Sequence, residues 1–375
     1  MKASFVSGMS IDHEHRFGVA LSAALIAVAL GCGTREAPPS ADVATESSPE
    51  PASQEGLRVV AGDGVEGFVD GEMARFRKPI RLAPYGDGAI VVADIFNHAI
   101  RIVRDDGTVT TLGGSPDAKG HRDGSAAQAR FSSPHGVAVS PDGVIAVAGA
   151  ENHAVRVMTP GAVSASGVPE YVVSTVAGVP GEEGMRDGPA AQALFNSPHA
   201  VAWAADGSLF VADIGNARIR RIADGEVTTV AGSGETGNAD GPALKASFTY
   251  PMDIAFSPDG SLVIIDAGTH QLRRLVPDGE VTTVGLDTPL LTPHGVAAAP
   301  DGTVYIAEMG AHRVVAVTPD GRVSPVCGEG EPGSGSEQLN RPAAVLVHDG
   351  RLWIADLDNH RISSLALKKS PPQAS

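Results

Sequence analysis

The sequence predicts an all-β fold: a six-bladed propeller of four-stranded antiparallel blades, closed by its own N-terminal strand. Three observations predict it. First, a unit such as "SPHAVAWAADGSLFVADIGNARIRRIADGEVTTVAG", Ser197 to Gly232, recurs from Arg58 onward, and self-similarity at this period is the mark of a repeat architecture. Second, its four short apolar runs are separated by Asp-Gly and Asn- or His-containing turns, which suit hairpins because these residues accept positive φ. Third, the starting prolines Pro79, Pro134, Pro198, Pro251, Pro293 and Pro342 number six, and so do the closing runs, but the two sets are offset by one place.

The offset specifies how the ring shuts. The first closing run, "RVVAG" from Arg58, precedes the first unit, while the last unit, "RPAAVLVHDGRLWIADLDNHRISSL", stops after three strands. The N-terminal strand, Arg58 to Gly62, is expected to fill the empty place beside "HRISSL", sealing blade six to blade one and removing exposed edges. Pro325 falls in a closing run, the outermost of its blade, where a missing amide donor is tolerated. Between units stands "DGSAAQARFSSP" from Asp123, echoed by "DGPAAQALFNSP", "DGPALKASFTYP" and, shorter, "DGEMARFRKP". Its Phe76, Phe131, Phe195 and Phe248 are expected to plug the gaps between blades. Blades five and six lack this insert.

Composition agrees with many short strands and turns. Among 375 residues there are 45 glycines and 27 prolines, and the formal charge is -16. There is no basic patch to neutralise phosphates, which excludes nucleic-acid binding. The apolar run within "GVALSAALIAVALGCG" is too short for a comfortable membrane span and fits a secretion signal. Its end, Ala29-Leu30-Gly31-Cys32, resembles the bacterial lipobox, which implies lipidation of Cys32 and a place in the bacterial cell envelope; a simple secretion signal and a retained anchor are the alternatives, and Met1 or Met9 the start. The expected organisation is a signal peptide over 1–31, a tether over 32–57 rich in Pro, Ser, Ala and Glu, the propeller over 58–366 and a tail over 367–375. With Cys32 lipidated, Cys327 has no partner and reads as a buried thiol.

The turns after the second strands carry a resemblance. "VADIFNHAIRIV" from Val92, "VADIGNARIRRI", "IIDAGTHQLRRL", "IAEMGAHRVVAV" and "IADLDNHRISSL" are similar to the NHL repeat, and with "VTTVAG" and the connector they resemble the NHL six-bladed, TolB-like propellers over Arg58 to Leu365. Blade two departs with Gly149 where others have Asp94, Asp213, Asp266 or Asp356, and blade five with Glu308. The aspartates read as acceptors for turn amides, Asn97, Asn152, Asn216 and Asn359 as turn formers, and His98, His153 and His360 as braces. Arg101, Arg156, Arg220, Arg273 and Arg361 read as blade-surface residues paired with nearby acids.

The recurrent "SSPHGVAVSPDG", "NSPHAVAWAADG" and "LTPHGVAAAPDG" raise the one constellation with chemical promise. The residue after each starting proline stands where the innermost strand begins, at the channel mouth: Ile80, His135, His199, Met252, His294 and Ala343. Next come Arg81, Gly136, Ala200, Asp253, Gly295 and Ala344. Three imidazoles, a carboxylate and a guanidinium thus converge, making Arg81, His135, His199, Asp253 and His294 the candidate ligand-binding set. The amidating lyase acting on peptidyl-α-hydroxyglycine shares this propeller and similar Pro-His contexts. That resemblance implies His135, His199 and His294 as zinc ligands, although here they sit on blades two, three and five and the lyase's Tyr has no counterpart. The other reading is a turn whose imidazole bonds a neighbouring blade's carbonyl. Two functions follow: a lipid-tethered scaffold presenting its rim to a protein, peptide or glycan, without catalysis; or a lyase or hydrolase dependent on a divalent metal, zinc or calcium, at the mouth.

Overall fold

A computed structural model describes residues 56–86, 88–163 and 169–367. The expected signal, Cys32, most of the tether and the tail beyond Leu367 lie outside the described residues. The described chain forms six antiparallel sheets, one per repeat. Blade one runs outward through Pro79–Pro84, Ala89–Asp94, Ala99–Arg104 and Val109–Gly114. Blade three does the same through Pro198–Trp203, Leu209–Asp213, Arg218–Ala223 and Glu226–Ala231. The Asp-Gly turns carry left-handed glycine as expected; at Asp224-Gly225 and Asp349-Gly350 both residues have positive φ.

Closure follows the offset in the sequence. Arg58–Ala61 pairs antiparallel with Arg361–Ala366, Arg58 opposite Ser364 and Val59 opposite Ser363, completing blade six as its outermost strand. The connectors add an outer edge to blades two, three and four, through Gly124–Ser125, Gly188–Pro189 and Gly241–Pro242. In blade one the same place holds a single bridge from Gly71 to Val109. Pro325 lies in Val323–Cys327, the edge strand of blade five.

The cores sit at the seams between blades. Phe76 packs with Ile90 and Val92 of blade one and with Trp353 and Ala355 of blade six; Phe131, Phe195 and Phe248 fill the next three seams in the same way. All four rings are buried, each contributing about 1.5–3 kcal/mol by leaving water. Where the insert is missing, Leu290 plugs the seam of blades four and five and Leu339 that of blades five and six. Those two leucines carried no repeat signal, because the connectors around them do not align with the other four.

Arg101, Arg156, Arg220 and Arg273 are not surface residues: each is at most 1% exposed. Each guanidinium lies over its seam's phenylalanine, 5.2 Å from Phe76, 4.7 Å from Phe131, 5.0 Å from Phe195 and 5.3 Å from Phe248. The pairing with acids holds: Asp70, Asp123, Asp187 and Asp240 of the connectors bind them. The same four aspartates accept the backbone N–H of Thr111, Thr175, Thr229 and Thr283. Burial is tolerated because a carboxylate and backbone carbonyls accept from the Nη groups of each arginine while the ring takes the guanidinium plane. Arg361 is also buried but occupies a different place, two residues earlier in its repeat, with Ser363 at the position of Arg101. It reaches Asp356 from there at 2.8 Å, as Arg313 reaches Glu308 at 2.6 Å in blade five. Neither blade has a connector aspartate that binds an arginine; Asp287 of blade five accepts the Val323 N–H instead.

Candidate functional site: the rim and channel mouth

The NHL aspartates tie each second strand to the turn that leads into its own blade. Asp94 accepts the backbone N–H of Arg77, the Asn97 side chain and Arg101. Asp213 does so for Asn196, Asn216 and Arg220, and Asp356 for Asn340, Asn359 and Arg361. In blade two, where Gly149 stands, Asn152 Oδ1 takes over and accepts from Ser132 N–H at 3.1 Å.

The NHL histidines do more than brace their own turn. His98, His153, His312 and His360 have left-handed backbones, which swings each ring onto the next blade. There Nδ1 accepts the backbone N–H of Ser133, Ser197, Arg341 and Lys78 respectively. These four donors are themselves left-handed and immediately precede the innermost strands. The NHL turns therefore share the rim with the channel mouth.

Inside that rim the channel is closed. Arg81 Nη1 of blade one and Asp253 Oδ2 of blade four, opposite blades of the ring, form an ion pair with both side chains buried. Asp253 also accepts Val296 N–H at 2.7 Å and Ile254 N–H at 2.8 Å. Burial raises its carboxyl above the usual carboxylate range, against the pull of Arg81 and those two amides. Apolar side chains fill the neighbouring arc: Ile80, Ile95, Met309, Ala343 and Leu357 belong to one buried cluster.

The three Pro-His imidazoles do converge. The ring of His135 lies 3.9 Å, centroid to centroid, from that of His199 and 6.3 Å from that of His294 on the opposite blade. His294 bonds through Nδ1 to the Ala343 carbonyl of blade six at 2.8 Å, the neighbouring-blade bond that the turn reading expects. His199 bonds instead to Ser197 in its own lead-in turn, at 2.8 Å; His135 Nδ1 is buried without a hydrogen-bond partner. Burial, reinforced by Arg81, depresses His294 to about 3. Burial, then His199 and Arg81, also holds His135 well below the histidine range. Both rings are neutral at ordinary pH. Among the described residues no three His, Cys, Asp or Glu side chains form a metal-holding group, so the rings as they stand do not fit the zinc set that the lyase resemblance implies.

The residue after the histidine explains the motif. Gly136 and Gly295 face the innermost strand of the next blade: a Cβ on Gly136 would run into the His199 carbonyl, and one on Gly295 would lie 2.5 Å from the Ala343 carbonyl. At both Pro-His-Gly turns the neighbouring inner strand lies too close for a Cβ. Cys327, partly buried against the blade five–six core, has its thiol pushed up to about 12 by burial and by Glu337 and Asp356.

Comparison with known proteins agrees with this architecture. The NHL repeat family matches residues 131–158, which span the start and the NHL turn of blade two. The protein SUPPRESSOR OF QUENCHING 1, chloroplastic, of Arabidopsis thaliana is 29% identical over 245 residues, covering 59% of this chain but only 22% of that protein. An auxiliary nutrient binding protein from Bacteroides thetaiotaomicron superposes with a TM-score of 0.60 at 14% identity, over 84% of this chain and 76% of that one. A virginiamycin B lyase from Staphylococcus aureus, solved with quinupristin, gives 0.52 at 16% identity, over 79% and 97%. Such low identities speak to fold alone. Six blades built on one repeated turn, one of them matched directly by the NHL pattern, make this chain a six-bladed β-propeller that carries an NHL repeat.

Proposed function

We propose that the protein is a lipid-anchored, extracytoplasmic binding scaffold of the bacterial cell envelope that captures a protein, peptide or glycan on its rim. The observation that carries this reading is the ion pair of Arg81 and Asp253, which closes the channel just inside the mouth and leaves the rim as the face that meets a ligand. Two large apolar side chains stand exposed on that rim beside the lead-in turns, Tyr250 at 43% and Leu291 at 51%; aromatic and aliphatic anchors of this kind carry most binding energy at interfaces. The similarity in fold to nutrient binding proteins supports it.

The test is capture from arrayed envelope peptides and oligosaccharides by the protein and by a Tyr250→Ala/Leu291→Ala variant. The expected result is a specific set of ligands bound by the protein and lost in the variant at an unchanged unfolding midpoint. Capture of the same set by both would move the site off the rim, and capture of nothing specific by either would end the scaffold reading.

A further inference from the structure

We infer that His98, His153 and His360 are acid-released latches that hold the rim closed at three consecutive seams, from blade six to one, one to two and two to three. The geometry is the same at each. A left-handed histidine, with φ of 50°, 53° and 50°, faces a left-handed residue on the next blade, Ser133, Ser197 and Lys78, with φ of 45°, 55° and 63°. One bond joins each pair: the N–H of Ser133 to His98 Nδ1 at 3.1 Å, of Ser197 to His153 Nδ1 at 3.1 Å, and of Lys78 to His360 Nδ1 at 3.3 Å. Left-handed backbone in a non-glycine residue is unfavourable, and at these three seams the bond ties two such residues of neighbouring blades together. Only an imidazole with a lone pair on Nδ1 accepts it; a doubly protonated ring turns N–H toward N–H and the bond is lost.

The charges around the three rings differ. His98 faces Lys119 and Arg77 against Glu151. His153 faces Glu183 and Glu151. His360 faces Lys78 and Arg77 against Glu66 and Asp358. In all three, burial is the largest influence and depresses the imidazole below its ordinary value. A released ring takes its proton near the free value of about 6.5, whereas the latched ring takes it only at lower pH. Each latch therefore contributes its full stability above about 6.5 and loses it as pH falls below. Opening is favoured by about tenfold per pH unit, until the latched ring itself protonates. At the seam of blades two and three the effect reaches the mouth, because Ser197, held by His153 through its N–H, holds His199 Nδ1 through its carbonyl. Blade three has Ala217 where the others have histidine, so the blade-four lead-in at Tyr250 is a built-in control. The inference goes beyond the scaffold reading, since the latches act whether or not a ligand binds.

Hydrogen exchange of the full protein, read by mass spectrometry at pH 7.5 and 5.5 and corrected for intrinsic rates, tests it. Protection in peptides carrying Ser133, Ser197 and Lys78 is expected to fall severalfold at the lower pH while peptides carrying Tyr250 stay constant. His153→Asn, which keeps a residue tolerant of left-handed backbone but removes the titrating ring, is expected to abolish the pH dependence at Ser197 and leave that at Ser133 and Lys78. Constant protection at the three latched sites, an equal fall at Tyr250, or a surviving fall at Ser197 in His153→Asn would overturn the inference.

Discussion

Arg81 and Asp253 belong to blades one and four, on opposite sides of the ring, and meet across its axis as a buried ion pair. Removing one partner leaves a buried charge, which costs about 3–5 kcal/mol, whereas replacing both with apolar residues is often close to neutral. Asp253→Ala is thus expected to lower the urea midpoint sharply, and Arg81→Met/Asp253→Leu to recover most of the loss. A mild Asp253→Ala phenotype would mean that water already reaches the pair.

The inner strands of neighbouring blades approach too closely at two glycines for any side chain. Gly136→Ala and Gly295→Ala are expected to cost about 1–3 kcal/mol each through overpacking. Gly285→Ala, where the added carbon meets nothing within 4 Å and φ is ordinary, is the control and should stay within about 0.5 kcal/mol. Equilibrium unfolding of the three variants side by side decides it.

Seam plugs should matter alike whether or not the repeat announces them. Phe195→Ala removes a buried ring and the platform for Arg220, at an expected cost of about 3–5 kcal/mol; Leu339→Ala, in a seam without the insert, is expected to cost about 2–5 kcal/mol. A Leu339→Ala variant as stable as the parent would show that the seam of blades five and six is held by other contacts.

The imidazoles of the mouth give a direct chemical test. Elemental analysis of the purified protein beside a His135→Ala/His199→Ala/His294→Ala variant is expected to find zinc and calcium far below one ion per chain in both. Stoichiometric zinc in the protein and its loss in the variant would instead restore the metal-dependent lyase or hydrolase.

Much of the fold was readable because propeller repeats write their geometry into short spacings. Strand period, Asp-Gly turns and the offset of Arg58–Gly62 determined six blades and their closure, and the connector phenylalanines pointed to four of the seam plugs. Leu290 and Leu339 escaped because a plug needs only volume, which a lone leucine supplies without a motif. The arginines were misplaced because alternation tells which face of a strand a residue takes, not whether a neighbouring blade covers that face; a phenylalanine and an aspartate from the connector made burial favourable.

The mouth divides in the same way. From sequence alone came the set Arg81, His135, His199, Asp253 and His294, each at the start of an inner strand. Only the tertiary structure decided that Arg81 and Asp253 spend their charges on each other, that His199 and His294 commit Nδ1 to carbonyls, and that the NHL histidines reach over to the next blade. The physical reason is that local pattern fixes a residue's place along its strand, whereas hydrogen-bond partners and desolvation depend on which blades the closed ring sets side by side or face to face.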